Sequence, residues 1–149
     1  MTSYRKLTIS DLDALQLIEE ECFVEPFKRE DLIYELNDNP VNAIIGAYSD
    51  DKLVGFIDYM VTFNSAMIVQ IAVSKEYRHQ GIAQILLTLM EQSFPQDIED
   101  KVETITLEVR ESNIPAHKLY IKCGYENVLL KKNYYKNGEN AIYMIKRIL

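Results

Sequence analysis

The chain has 149 residues, 48% of them hydrophobic and 26% charged, the size and make-up of one globular domain with its own core. A formal net charge of -7 excludes a general electrostatic grip on nucleic acid and suits a cationic partner as well as plain solubility. The polar start Met1–Lys6 is followed by no apolar signal segment, no apolar run approaches the ~20 residues of a membrane span, and Cys22 and Cys123 form neither a CxxC nor a metal-spaced cluster. A reducing, cytoplasmic setting without metal is therefore expected.

Tyr4–Ile9 reads as a first strand. Ser10-Asp11 offers a helix cap ahead of Leu12, Leu15, Ile18 and Cys22 at helical spacing, and Pro26 ends that helix. Lys28–Leu36 reads as a second helix with Leu32, Ile33 and Leu36 on one face, closed by turn chemistry at 37–40. Three extended segments follow at Asn42–Tyr48, Leu53–Phe63 and Ala66–Val73, separated by polar turns, so an antiparallel meander is expected. The last of these is almost continuously apolar and reads as a central strand.

Gly81–Phe94 is predicted to be a helix with Ile82, Ile85, Leu86, Leu89 and Met90 as its apolar stripe. A loop at 95–101, a strand at Val102–Val109 and a helix at Asn113–Cys123 come next, with Gly124 where a helix-ending glycine belongs. Two strands, Tyr125–Leu130 and Ala141–Arg147, finish the chain across a loop at 131–140. The order β-α-α-β-β-β-α-β-α-β-β fits neither a pure βαβ repeat nor an all-β barrel, and one α/β (α+β) domain spanning 1–149 is expected.

Two stretches carry chemistry. Arg78-His79-Gln80-Gly81-Ile82-Ala83 lies between an apolar strand and a helix start, where unpaired backbone N–H groups and the positive end of the helix dipole receive a pyrophosphate. Gly81 and Ala83 leave room for phosphate against the backbone, and Arg78 and His79 add donors. The same spacing also fits an ordinary helix start with a surface arginine. Neither GxxxxGK[ST] nor a dinucleotide GxGxxG is present. The second stretch is Leu107-Glu108-Val109-Arg110-Glu111-Ser112-Asn113, a strand end running into a capped helix that carries Tyr120. Glu108 and Tyr120 can pair as base and acid across that return; taken singly, one also fits a solvated carboxylate, the other a core aromatic, and Asn113 a plain helix cap.

Taken in order, Gln70-Ile71-Ala72-Val73, Tyr77-Arg78-His79-Gln80-Gly81-Ile82-Ala83, Leu107-Glu108-Val109-Arg110, Ser112-Asn113, Leu119-Tyr120 and Gly124-Tyr125 resemble the GNAT acyltransferase superfamily. With Glu21–Phe27 and Asn133-Tyr134-Tyr135 they resemble most closely its RimI-type members, which acetylate the N-terminal alanine of ribosomal protein S18. The resemblance implies a mixed, mostly antiparallel sheet of about seven strands with helices on both faces, its fourth and fifth strands splayed around a thioester. It implies acetyl-CoA as co-substrate, held by Ile71, Ala72 and Val73 along the pantetheine arm, by Arg78 and the amides of His79, Gln80, Gly81, Ile82, Ala83 and Gln84 at the pyrophosphate, and by Asn113.

Glu108 is then the general base and Tyr120 the acid for the departing thiolate, with Phe27, Tyr134 and Tyr135 shaping the acceptor side. Phe27 stands where many relatives have Trp, and Cys123 replaces a small or aliphatic residue. The implied acceptor is the N-terminus of S18 or another basic protein, met by a monomer or weak dimer. A small amine such as a polyamine or amino-sugar, or a non-catalytic acyl-CoA-binding role, are the alternatives. The chemistry suits an α-amine: at a pKa near ~8 about a tenth is neutral at pH 7, against less than about a thousandth of a lysine at ~10.4. A covalent acetyl-cysteine route would need a thiol beside a base, and neither His79 nor His117 is spaced to serve.

Overall fold

A computed structural model of the chain describes residues 1–148; the expected domain runs on to Leu149, which lies outside the described residues. Seven strands pair in the order β1-β2-β3-β4-β5-β7-β6. They are β1 (Thr2–Lys6), β2 (Asn42–Ser49), β3 (Lys52–Thr62), β4 (Ser65–Val73), β5 (Thr104–Arg110), β6 (Glu126–Lys131) and β7 (Ala141–Arg147). Among the described residues four α-helices accompany them: α1 (Leu12–Cys22), α2 (Arg29–Ile33), α3 (Ile82–Gln92) and α4 (Ile114–Lys122). The predicted element order holds throughout. The described residues fall into two compact units, Met1–Met60 with Val69–Phe94 and Val61–Ile68 with 95–148.

In the first unit β1, β2 and β3 are antiparallel neighbours. Leu12, Leu15 and Ile18 of α1 and Leu32 of α2 close a core with Leu7, Ile44, Leu53, Phe56 and Ala72. β1 ends at Lys6 rather than running to Ile9, because the chain turns there to cap a helix. Thr8 N–H donates to Asp11 Oδ2 at 2.8 Å, and Asp11 also accepts two hydrogen bonds from Arg5 and one from Tyr48 Oη. The Arg5 guanidinium holds the Asp11 carboxyl well below the usual carboxylate range.

α2 is shorter than predicted, and 34–38 form a widened turn whose closing bond runs from Asn39 N–H to Tyr34 O. Glu35 in this turn and the buried Asp58 of β3 both accept from Asn42 Nδ2. Burial, and after it the Glu35 charge, pushes Asp58 up to about 8, so the fold binds a proton here that the unfolded chain releases near pH ~4. Stability gained from this proton is complete below pH ~4 and is lost as pH rises toward 8. Asp58→Asn is therefore expected to remove about 3 kcal/mol of the stability loss between pH 6 and 9, read as a flatter urea-midpoint curve.

α3 buries Ile82, Leu86, Leu87 and Met90. The predicted stripe is thus rotated. Ile85 is 42% exposed, lining a shallow groove with Gly81, Gln84, Thr88, Leu89 and Gln92, while Leu87 faces the core.

In the second unit β5 alternates, with Ile105, Leu107 and Val109 buried and Thr106, Glu108 and Arg110 half-buried on the opposite face. β7 lies antiparallel to β5, and β6 antiparallel to β7. The start of β4 pairs parallel to β5 over Ser65–Met67. Asn113 Oδ1 caps α4 by accepting from Ala116 N–H, Pro115 sits in its first turn, and Gly124 at φ +98 ends it as expected.

Candidate active site

The cofactor half of the predicted site lies in the first unit. His79 at φ 64 and Gly81 at φ 82 are both left-handed, an arrangement that turns successive amides toward one side and forms an anion-binding hollow. Gly81 is the N-cap of α3, and no side chain caps that first turn. The amides of Ile82, Ala83 and Gln84 therefore form the positive end of an 11-residue helix. A Cβ at Gly81 would meet nothing within 4 Å, so the glycine answers to its backbone angle and to whatever approaches from outside. This is a fit to the pyrophosphate of a CoA thioester.

Ile71, Ala72 and Val73 form the end of β4. Ala72 is buried in the core and the other two are half-buried. Gly55 allows β3 to approach them, since a Cβ there would stand 3.1 Å from Ala72 O. Arg78 turns back from the loop. Its Nε donates to Val73 O at 2.9 Å and its guanidinium reaches Cys22 Sγ at 3.9 Å, so it ties the loop to the strand end. Burial pushes the Cys22 thiol up, leaving it protonated and a poor nucleophile.

Phe27 packs against the core, and its N–H donates to Glu19 Oε1 at 2.9 Å. Glu19 is fully buried, accepts also from Gln70 Nε2 at 2.7 Å, and is raised by burial. Nothing local in the sequence marked this carboxyl as internal.

The acid–base half lies in the second unit. Glu108 on β5 stands opposite Tyr143 of β7 and is 16% exposed; its Oε1 accepts from Lys131 Nζ at 3.0 Å. Lys131, the last residue of β6, also lies 4.6 Å from the ring centre of Tyr143 and 5.3 Å from that of Tyr134. The sequence reading missed both Lys131 and Tyr143. Tyr120 is buried on α4, edge-on to Tyr125 at 5.7 Å. Burial first, then Tyr135 and Cys123, pushes it well above an ordinary phenol, so its proton stays in place at any working pH.

Tyr135 links the two, feeling the charge of Glu108 and influencing Tyr120. Burial pushes it up to about 12 although Arg110 pulls the other way. Tyr134 and Tyr135 meet edge to face at 5.0 Å, and the Arg110 guanidinium lies 3.9 Å over the Tyr135 ring. Glu139 fastens this loop: Oε1 accepts from Arg110 Nη1 at 3.0 Å, Oε2 from Ser112 N–H at 2.9 Å and from the Ser112 hydroxyl, and its carbonyl from Tyr135 N–H. Asn113, expected at the pantetheine arm, has its Oδ1 committed to the α4 cap.

Residues 12–125 match the family model described as Acetyltransferase (GNAT) family, and the chain belongs to that family. It is 36% identical to the uncharacterized N-acetyltransferase MJ1530 of Methanocaldococcus jannaschii over 96% of this chain and 90% of that one. The crystal structure of the ribosomal-protein-S18-alanine N-acetyltransferase from Escherichia coli superposes with a TM-score of 0.85 at 28% identity, covering 99% of this chain and 94% of that one. Arabidopsis thaliana NAA60 in complex with acetyl-CoA shares the fold at a TM-score of 0.88 and 19% identity, over 99% of each chain. The protein is an acetyl-CoA-dependent N-acetyltransferase with the mixed seven-stranded sheet of its family. No helix among the described residues is long and apolar enough to cross a membrane.

Proposed function

We propose that this enzyme acetylates the α-amine at a protein N-terminus, with ribosomal protein S18 as the leading acceptor. The observation that carries this reading is the half-buried carboxylate Glu108, set among Tyr134, Tyr135 and Tyr143 and already holding an ammonium group. The S18 name of the E. coli relative supports the choice of acceptor.

When bound, acetyl-CoA supplies an activated acyl group and a good leaving thiolate. The amides from His79 to Gln84 hold its diphosphate, with Ile71, Ala72 and Val73 beside the pantetheine arm. Glu108 accepts the proton of the incoming α-ammonium, directly or through a water, and frees the lone pair for attack. One carboxylate suffices, because an α-amine near pKa ~8 gives up its proton about two units more readily than a lysine. Tyr120, held protonated by its burial, supplies a proton to the leaving sulfur. Phe27, Tyr134 and Tyr135 border the acceptor.

Incubating the protein with acetyl-CoA and a peptide carrying the S18 N-terminus is expected to add one acetyl group at the α-nitrogen, located by tandem mass spectrometry. An inert peptide together with rapid turnover of spermidine or an amino-sugar would reassign the acceptor to small amines. CoA binding without transfer to any amine would reduce the chain to a binding module.

A further inference from the structure

Glu108, Tyr134 and Tyr143 together make a seat for an organic cation: one carboxylate oxygen and two ring faces around a single point. The strand register builds it. Glu108 of β5 lies opposite Tyr143 of β7, and Lys131 of β6 lies opposite Ala141, two residues along β7. The occupant is the chain's own Lys131 ammonium, 3.0 Å from Glu108 Oε1 and 4.6 and 5.3 Å from the two ring centres. Each ring distance lies within the ~6 Å over which a cation is drawn to an aromatic face.

Resting on the reading of Glu108 as the base, we infer that Lys131 is a tethered stand-in for the acceptor's α-ammonium, a positioning residue that the acceptor must displace and that returns after transfer.

Four features of the site support this. First, the reading needs a protonated amine to arrive at the carboxylate that Lys131 now occupies, and one carboxylate with two rings suits one cation. Second, Lys131 can leave. Its side chain is 35% exposed on a flexible four-carbon stem, and Glu108 is its only acidic partner among the described residues. Arg110, the other cation nearby, is fixed by Glu139 and stacked on Tyr135. Third, Lys131 is a poor acceptor in its own right, since its hydrogen bond to Glu108 raises its pKa and it keeps its proton. An α-ammonium gives its proton up more readily, so the seat separates a cation that waits from one that reacts. Fourth, the product is a neutral amide. It has lost the charge that held it against Glu108, and Lys131 regains the seat as the acetylated terminus leaves.

The test is steady-state kinetics of the full-length enzyme with acetyl-CoA and an alanine-terminated peptide, beside the affinities of the unreacted and the N-acetylated peptide for the CoA-bound enzyme. Lys131→Met is expected to lower the peptide KM about three- to fivefold, the scale of removing one part-exposed ion pair with its ring contacts, with a smaller change in kcat. Lys131→Arg keeps a cation in the seat and is expected to restore a KM close to that of the parent. The unreacted peptide should bind Lys131→Met more tightly and the neutral N-acetylated peptide should not.

A peptide KM that is raised or unmoved in Lys131→Met overturns the inference, as does equal tightening of both peptides, which would indicate cleared space rather than a vacated charge site. If Glu108→Gln keeps full activity, the assignment of the base falls and this inference with it. An inactive Glu108→Gln beside a Lys131→Met of unmoved KM removes this inference alone.

Discussion

Glu108→Gln is expected to lower kcat for an alanine-terminated peptide about a hundred- to a thousandfold while acetyl-CoA still binds, measured by thiol release and by calorimetry. The magnitude is that of a positioned general base. The glutamine amide keeps the size and polarity of the side chain, still offers an oxygen to Lys131, and cannot take up a proton at neutral pH. The cofactor contacts proposed for His79 to Gln84 do not involve position 108, so the acetyl-CoA dissociation constant should move by less than about threefold. Raising the pH should recover part of the rate, because more of the acceptor α-amine is already neutral above its pKa of ~8. Full activity at pH 7 would remove Glu108 from the mechanism.

Gly81→Val should do the opposite, weakening acetyl-CoA about a hundredfold, the worth of roughly two charge-assisted hydrogen bonds. At φ 82 a β-branched residue is strained, and relief of that strain turns the amides of the first turn of α3 away from a common point. No protein atom lies within 4 Å of a Cβ placed there, so the loss of stability should stay near 1–2 kcal/mol, the cost of the backbone angle. Calorimetric titration with CoA, beside a urea unfolding curve, separates the two effects. Unaltered CoA affinity would place the diphosphate elsewhere.

The sites that read most clearly in the sequence are those where a local rule and the fold demand the same residue. Gly81 was legible because it leaves room for a phosphate at a helix start, and the left-handed cap found there asks for glycine as well. Asn113, Pro115 and Gly124 mark both ends of α4 by ordinary capping chemistry, and Glu108 stood out at a strand end running into that capped helix. The α3 stripe was turned because Leu86-Leu87 and Ile85 are equally apolar, and only the packed partner decides which of them is covered.

Lys131 and Tyr143 were invisible for a different reason. They are 23 and 35 positions from Glu108, and the β5–β7–β6 register, which no local pattern encodes, brings them together. Glu19 sits in an acidic run with Glu20 and Glu21 that looks like a solvent face, yet it is fully buried beneath Phe27 and Gln70. Arg78 was read as a phosphate donor from its position, while the strand-end carbonyl of Val73 claims it.

The fastening of the 131–140 loop by Glu139 bears on how an acceptor is received. A segment this short and polar would ordinarily sample many shapes, and an incoming chain would have to freeze them one by one. Here Arg110, Ser112 and the Tyr135 amide have settled the backbone beforehand, and the two tyrosine rings stand in fixed relation. If the acceptor enters beside Tyr134 and Tyr135 as proposed, it meets a backbone already set, with only the Lys131 side chain to move, and discrimination among acceptors then falls to the fit of their first few side chains.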